Sequence, residues 1–219
     1  MPFVADGKGE PRLGLRERKK QRTRAMLLDA AIELCQRQGF ERTTVDQIAA
    51  IADVSPRTFS RYFATKEAIA FALIDEALDI AAVELAAQPA DINHLEAMHR
   101  AYLGMCNNAK NAGPGGLSAH RLLGSMRIIM TSPTLRQAAT DHRPNALHIE
   151  LAKRMGVGAD ARALQLVASV WGSVTMTALA DLTDSGLDWD QIGLDDIIAR
   201  LEDTYAAFTS LMSEVVQLV

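Results

Sequence analysis

Arg57, Thr58, Ser60, Arg61 and Tyr62 stand within six residues, with only Phe59 among them. Two guanidinium groups, two hydroxyls and a phenol packed so closely are poorly explained by folding alone. They match what DNA presents: arginine can grip guanine at two acceptors, and a threonine methyl can touch the methyl of thymine.

The elements that must position these groups lie in TVDQIAAIADVSPRTFSRYF, residues 44–63. Thr44 suits an N-cap, because its hydroxyl can accept from a free backbone N–H one turn on. Val45, Ile48 and Ala49 then recur at helical spacing, with Ala52 a turn later. Asp53-Val54-Ser55 interrupts the pattern, and Asp53 can take a left-handed turn conformation at modest cost. Ser55 can cap the next helix, with Pro56 at its first position, where a missing N–H does no harm. Phe59 and Phe63 should anchor that second helix, of two or three turns, and leave the polar side chains outside. The expected unit is a helix-turn-helix reader of DNA. A plain helical hairpin with a solvated outer face shares the same pattern.

Charge separates along the chain. Residues 1–66 hold 13 Lys or Arg against 8 Asp or Glu, a balance of +5, and the other 153 hold 10 against 19, a balance of −9. A basic N-terminal part is drawn to phosphates, and an acidic remainder is held away from them. Residues 1–14, with three Gly and two Pro, are expected to form a disordered arm. LRERKKQRTR, residues 15–24, is either a solvated helix start or an arm on the phosphate backbone, with Arg22 and Arg24 as the contact candidates. The helix continues through Met26, Leu27, Ala30, Ala31, Leu34 and Cys35 on one face and stops at Gly39.

These motifs together resemble a TetR-family transcriptional regulator. The resemblance rests on RTRAMLLDAAIELCQRQGFERTTVDQIAAIADVSPRTFSRYFATKEAIAFALI: the Gly39-Phe40 break, Thr44, Ile48-Ala49, Val54-Ser55, Thr58-Phe59, Tyr62-Phe63 and Lys66-Glu67 all fall at the family's spacing. The family usually has Gly where Asp53 stands and Tyr where Ser60 stands. The resemblance implies phosphate contacts by Tyr62 and Lys66. The residues themselves suggest a phosphate at Thr44, where the helix start favours an anion, and base contacts among Arg57, Thr58, Ser60 and Arg61. The DNA-contact set is completed by Arg22, Arg24 and Ser55.

An all-α fold follows from 48% hydrophobic but only 5% aromatic residues, from abundant Ala and Leu, and from the want of any strand pattern. Residues 15–65 are expected to form a three-helix DNA-binding domain. Residues 66–219 are expected to form a larger helical domain for ligand binding and dimerisation. Its first helix, opened by Lys66-Glu67, should run to Pro89 over about 30 Å. Helices are expected over 91–106, Leu117 to Met130, from Ser132-Pro133 onward with a break at Pro144, over 159–185 and over 195–218. NNAKNAGPGG and SGLDWDQIGLDD read as loops.

Met98, Tyr102, Leu122, Met126, Met130, Trp171 and Thr175 form a candidate ligand pocket, since methionine adapts to irregular cavities; the same methionines also serve as ordinary core filler. Leu166, Val170 and Thr177 on a helix apolar on two faces, with Tyr205, Phe208 and Met212 near the C-terminus, are candidates for a dimer interface. Burial within one chain would need the same residues. The resemblance implies both features: its members dimerise through two such helices and commonly release DNA when a small molecule binds. A homodimer would set two readers on the order of 34 Å apart, on a near-palindromic operator.

No apolar run reaches the roughly 18 residues that span a bilayer, and the N-terminus lacks a signal-peptide core. Cys35 and Cys106 lack metal spacing and fit reduced thiols in a cytoplasm. His94, His99, His120, His142 and His148 show neither metal-ligand spacing nor a catalytic set, so no enzyme activity, cofactor or metal is expected. His99, His120 and His142 remain open as ligand contacts. The expected function is a cytoplasmic DNA-binding repressor released by a small, largely apolar effector. The alternatives are a ligand-independent or architectural DNA-binding protein and a helical interaction module.

Overall fold

The computed structural model describes residues 14–113, 116–140, 145–184 and 189–217. Among them are ten α-helices, one 3₁₀ turn and no strand. In chain order the helices are α1 (Leu15–Gln38), α2 (Val45–Ile51), α3 (Pro56–Phe59), α4 (Lys66–Ala86), α5 (His94–Lys110) and α6 (Ala119–Thr131). They continue with α7 (Pro133–Thr140), α8 (Ala146–Met155), α9 (Arg162–Asp184) and α10 (Leu194–Gln217), the 3₁₀ turn at Trp189–Gln191 preceding the last. The expected disordered arm lies outside the described residues up to position 13. So do Pro144, the first part of the 185–196 loop and Leu218.

Short polar residues set the helix starts. Thr44 and Gln47 form a reciprocal capping box, and Ser55, Thr65, Asn93, Ser118 and Asn145 each accept from a backbone N–H three residues on. Ser132 does the same for Leu135 at the start of α7. Such caps satisfy donors that the first turn leaves free. α5 overruns the expected loop by four residues, through Asn107 and Asn108 to Lys110. Asparagine is a weak helix former, but Asn108 donates to Glu84 at 2.7 Å and Ala109 is buried.

The buried side chains form two clusters. One gathers Leu27, Leu28 and Ile32 of α1, Ile48 and Ala49 of α2, Phe59, Phe63, and Ile69 and Leu73 of α4. The other gathers Ala81 and Leu85 of α4 with Met105, Leu122, Leu151, Trp171, Ile197 and Leu201. α4 therefore starts in one core and ends in the other. α6 also serves both: Leu122 and Met126 belong to the second cluster, Ile128 to the first.

α9 is the one described helix apolar and long enough to cross a membrane, with mean hydropathy 1.4 over Arg162–Thr183, against the expectation that no stretch reaches that length. Its apolarity divides between two faces: Leu164, Trp171, Val174, Ala178 and Leu182 are buried in the second core, while Leu166 is exposed.

α6 meets α1 at Gly124, where an added Cβ would stand 2.6 Å from Cγ2 of the fully buried Ile32. Gly124→Ala is expected to destabilise the protein by about 1–3 kcal/mol through overpacking, offset by at most about 1 kcal/mol of helix propensity. Urea denaturation checks this, and in the double variant with Ile32→Ala, which removes the clashing Cγ2, Gly124→Ala should cost less than it does in the native chain.

Candidate nucleic-acid interface and ligand cavity

The reader is held from beneath by apolar side chains. Phe59 is 0% and Phe63 6% exposed, with ring centroids 5.8 Å apart. Asp53 turns the chain with φ 52°, and Val54 N–H closes the turn on Ala49 O at 2.9 Å. The Ser55 hydroxyl accepts from Thr58 N–H at 3.1 Å and shares a hydrogen bond with the Thr58 hydroxyl. α3 is shorter than the two or three turns expected: it ends at Phe59, and Ser60 to Tyr62 continue as turns. Arg61 N–H to Thr58 O and Tyr62 N–H to Phe59 O tighten the segment to i→i+3 bonds. The Ser60 hydroxyl donates back to Pro56 O at 3.1 Å.

Thr44, Arg57, Ser60 and Arg61 are exposed, Thr58 and Tyr62 half-buried. Neither Arg57 nor Arg61 pairs with any described residue. Arg22 is exposed on α1. Two expected contacts are placed differently. Arg24 is paired with Glu76 of α4 at 3.1 Å and lies over the Phe63 ring, 5.7 Å from its centre, with its side chain 38% exposed. Lys66 donates to the carbonyls of Phe40 and Glu41 at 3.1 and 3.2 Å and sits over the Phe40 ring, so two of its three N–H bonds tie α4 to the α1–α2 turn.

Polar side chains that the sequence reading did not single out lie beside the reader on α1. Arg16, Lys19, Lys20 and Thr23 occupy one face and line, with Glu17, Arg61 and Tyr62, an open cleft of about 490 Å³. Their i, i+3, i+4, i+7 spacing was visible inside the basic run, but nothing in the run shows which face turns toward Arg61.

A second cavity, of about 480 Å³, lies in the larger core. Of the candidate pocket residues, Met98, Tyr102, Leu122, Met126, Trp171 and Thr175 line it. Met130 does not: α6 presents Leu122, Ser125, Met126 and Ile129 to the cavity, and Met130, a further 100° round the helix, is buried in the core instead. The reading missed Phe71, Ile74 and Leu78 of α4 and His148 of α8. Of the other histidines, His99 stacks on Tyr205 with ring centroids 4.3 Å apart, His120 is exposed, and His142 lies outside the described residues. Burial pushes the Tyr102 phenol up to about 12, so it stays protonated at neutral pH. The buried Cys106 thiol is also pushed up to about 12 by desolvation.

Of the expected dimer residues, Leu166 is 58% and Met212 44% exposed; Thr177 is exposed, and Val170 and Phe208 are half-buried. Tyr205 is a correction: it is 8% exposed and packed between His99 and Trp171 in its own chain. A two-faced helix does not reveal from its period alone which face its own core takes.

The sequence signature described as bacterial regulatory proteins of the tetR family matches residues 27–73. The HTH-type transcriptional regulator TcmR of Streptomyces glaucescens is 41% identical over 125 residues, 56% of this chain and 54% of the relative. Residues 27–73 therefore carry the N-terminal signature of the TetR family. The match thus spans about half the length of that curated relative. A TetR-family transcription regulator from Shewanella sp. PV-4, solved as a crystal structure, shares the fold at a TM-score of 0.51, with 18% identity over 84% of this chain and 97% of that one. The TetR signature begins at Leu27 and ends at Leu73, both members of the N-terminal core; the cavity lies mostly beyond it.

Lys19→Ala and Lys20→Ala should each reduce the slope of log binding constant against log salt by about one, uniformly across DNA sequences. Arg57→Ala should cost about 1–3 kcal/mol and relax sequence preference if Arg57 reads a base; anisotropy titrations at several salt concentrations separate the two effects. His99 gives a pH dependence. Burial lowers its pKa below 6.5, outweighing the upward pull of Glu96 and Glu202, and Arg100 adds to the lowering. The unfolded chain therefore takes this proton first as pH falls, so the stability His99 contributes is complete above about 6.5 and declines below it. Urea midpoints should drop on acidification in the native chain and drop less in His99→Phe.

Proposed function

We propose that this protein is a TetR-family regulator, a cytoplasmic transcriptional repressor without enzymatic activity. It binds a near-palindromic operator as a homodimer and leaves it when a small, largely apolar molecule occupies the cavity. Residues 15–65 serve as the reader and residues 66–219 as the ligand-binding and dimerisation part. The observation that carries this reading is the sharing of two helices: α4 and α6 wall the cavity and also pack into the core beneath the reader. An occupant that displaces either wall must prefer the arrangement unfit for DNA, since equal affinity for both shifts nothing.

The reader supports DNA binding through Arg57 and Arg61, exposed and unpaired among the described residues, above a rigid Phe59–Phe63 base. Assembly is supported by the exposed apolar side chains of Leu166, Leu211 and Met212 on the last two helices, which a second copy would cover with the two-fold symmetry of a palindrome.

Anisotropy with the duplex upstream of the protein's own coding region should show about a thousandfold preference over a scrambled duplex, with two chains per site. Equal, strongly salt-dependent binding to both duplexes would instead favour an architectural protein. Leu166→Asp with Met212→Asp should give a folded monomer in sedimentation and weaken operator binding by at least about tenfold, because two linked readers act at high effective concentration.

A further inference from the structure

We propose that Arg121 is a positioning residue that carries the state of the cavity to the DNA reader, by tying the cavity wall α6 to α1 through Asp29 and to α4 through Glu76. This rests on the ligand-release reading above and adds the route.

Arg121 lies in the first turn of α6, next to Leu122, whose side chain lines the cavity. Its Nε donates to Asp29 Oδ1 at 2.7 Å and its Nη2 to Asp29 Oδ2 at 3.0 Å. Nη2 also reaches the Ala25 carbonyl at 3.3 Å, and Nη1 stands 3.8 Å from Glu76 Oε2. The other oxygen of Glu76 holds Arg24, and Arg24 covers the ring of Phe63, where the reader ends. A continuous chain of contacts therefore runs from the cavity wall to the underside of the recognition segment.

The form of the link suits a switch. Two parallel N–H···O bonds fix orientation as well as distance, and such bonds weaken steeply when bent or stretched. Arg121 is only 13% exposed, although Asp29 is 54% exposed, so water screens the guanidinium end least. One turn further along α6, Gly124 is pressed against Ile32, so α6 cannot slide along α1 freely. The competing route is α4 alone, which passes directly from cavity to reader through apolar contacts.

The test uses the full chain, the upstream duplex and the uncharged fluorescent probe N-phenylnaphthylamine. Operator affinity is measured with and without saturating probe in the native protein, Arg121→Met, Asp29→Asn and the exchange variant Asp29→Arg with Arg121→Asp. The native protein should lose about tenfold or more of its affinity with probe bound. In Arg121→Met and Asp29→Asn that ratio should fall below about threefold, while probe affinity stays within about threefold of native. The exchange variant should regain part of the ratio, which a merely structural loss would not allow. Should Arg121→Met not fold, Asp29→Asn, at a half-exposed site, carries the test. A native ratio in Arg121→Met or Asp29→Asn overturns the inference and assigns the signal to α4. A native protein that ignores the probe, or binds it with no change in operator affinity, overturns the ligand-release reading, and the inference falls with it.

Discussion

A helix buried at its two ends by two different cores cannot move at one end alone, and α4 is such a helix. Ile69 and Leu73 pack with α1, α2 and the reader, while Ala81 and Leu85 pack with the second core. Interiors are close-packed and bistable, not continuously compliant. A displacement of α4 therefore reappears as a displacement of whatever its first turns hold. Its sequence suits that role: alanines at 70, 72, 77, 81 and 82 are buried, which lets neighbouring helices come close and leaves few rotamers to absorb strain.

The reader depends on this frame because it has little internal structure. α3 has four residues, too short to be stable by itself. Its cap, its proline start and its two phenylalanines give it shape, and its position comes from the Phe59–Phe63 pair seated on the N-terminal core. The arginines above it contribute little to folding, which leaves them available to phosphates and bases.

The helix ends were readable from residue types because capping is local. Thr44, Ser55 and Ser132 act within three residues of themselves, and the turn at Asp53 takes the left-handed conformation that its side chain tolerates. Part of the cavity lining was readable too, since Met98, Tyr102, Leu122, Met126, Trp171 and Thr175 share apolar faces of long helices. The readings that changed involve long separations. Arg24 meets Glu76 across 52 positions and Lys66 meets Phe40 across 26, so a basic side chain that looked available to DNA was already engaged. Met130 and Tyr205 differ for a related reason: periodicity shows that a face is apolar but not which neighbour covers it.

The sequence by itself determined the helical class, the turn between α2 and the reader, the polar surface of that reader and the concentration of positive charge at the N-terminus. Each follows from propensities, capping and side-chain chemistry acting over one or two turns. Only the tertiary structure decided which cations remain unpaired, which side of α1 faces Arg61, that α4 and α6 wall a cavity, and that Arg121 joins three helices. Those outcomes depend on contacts between residues as many as 96 positions apart, and the packing of whole helices, not any local preference, brings them together.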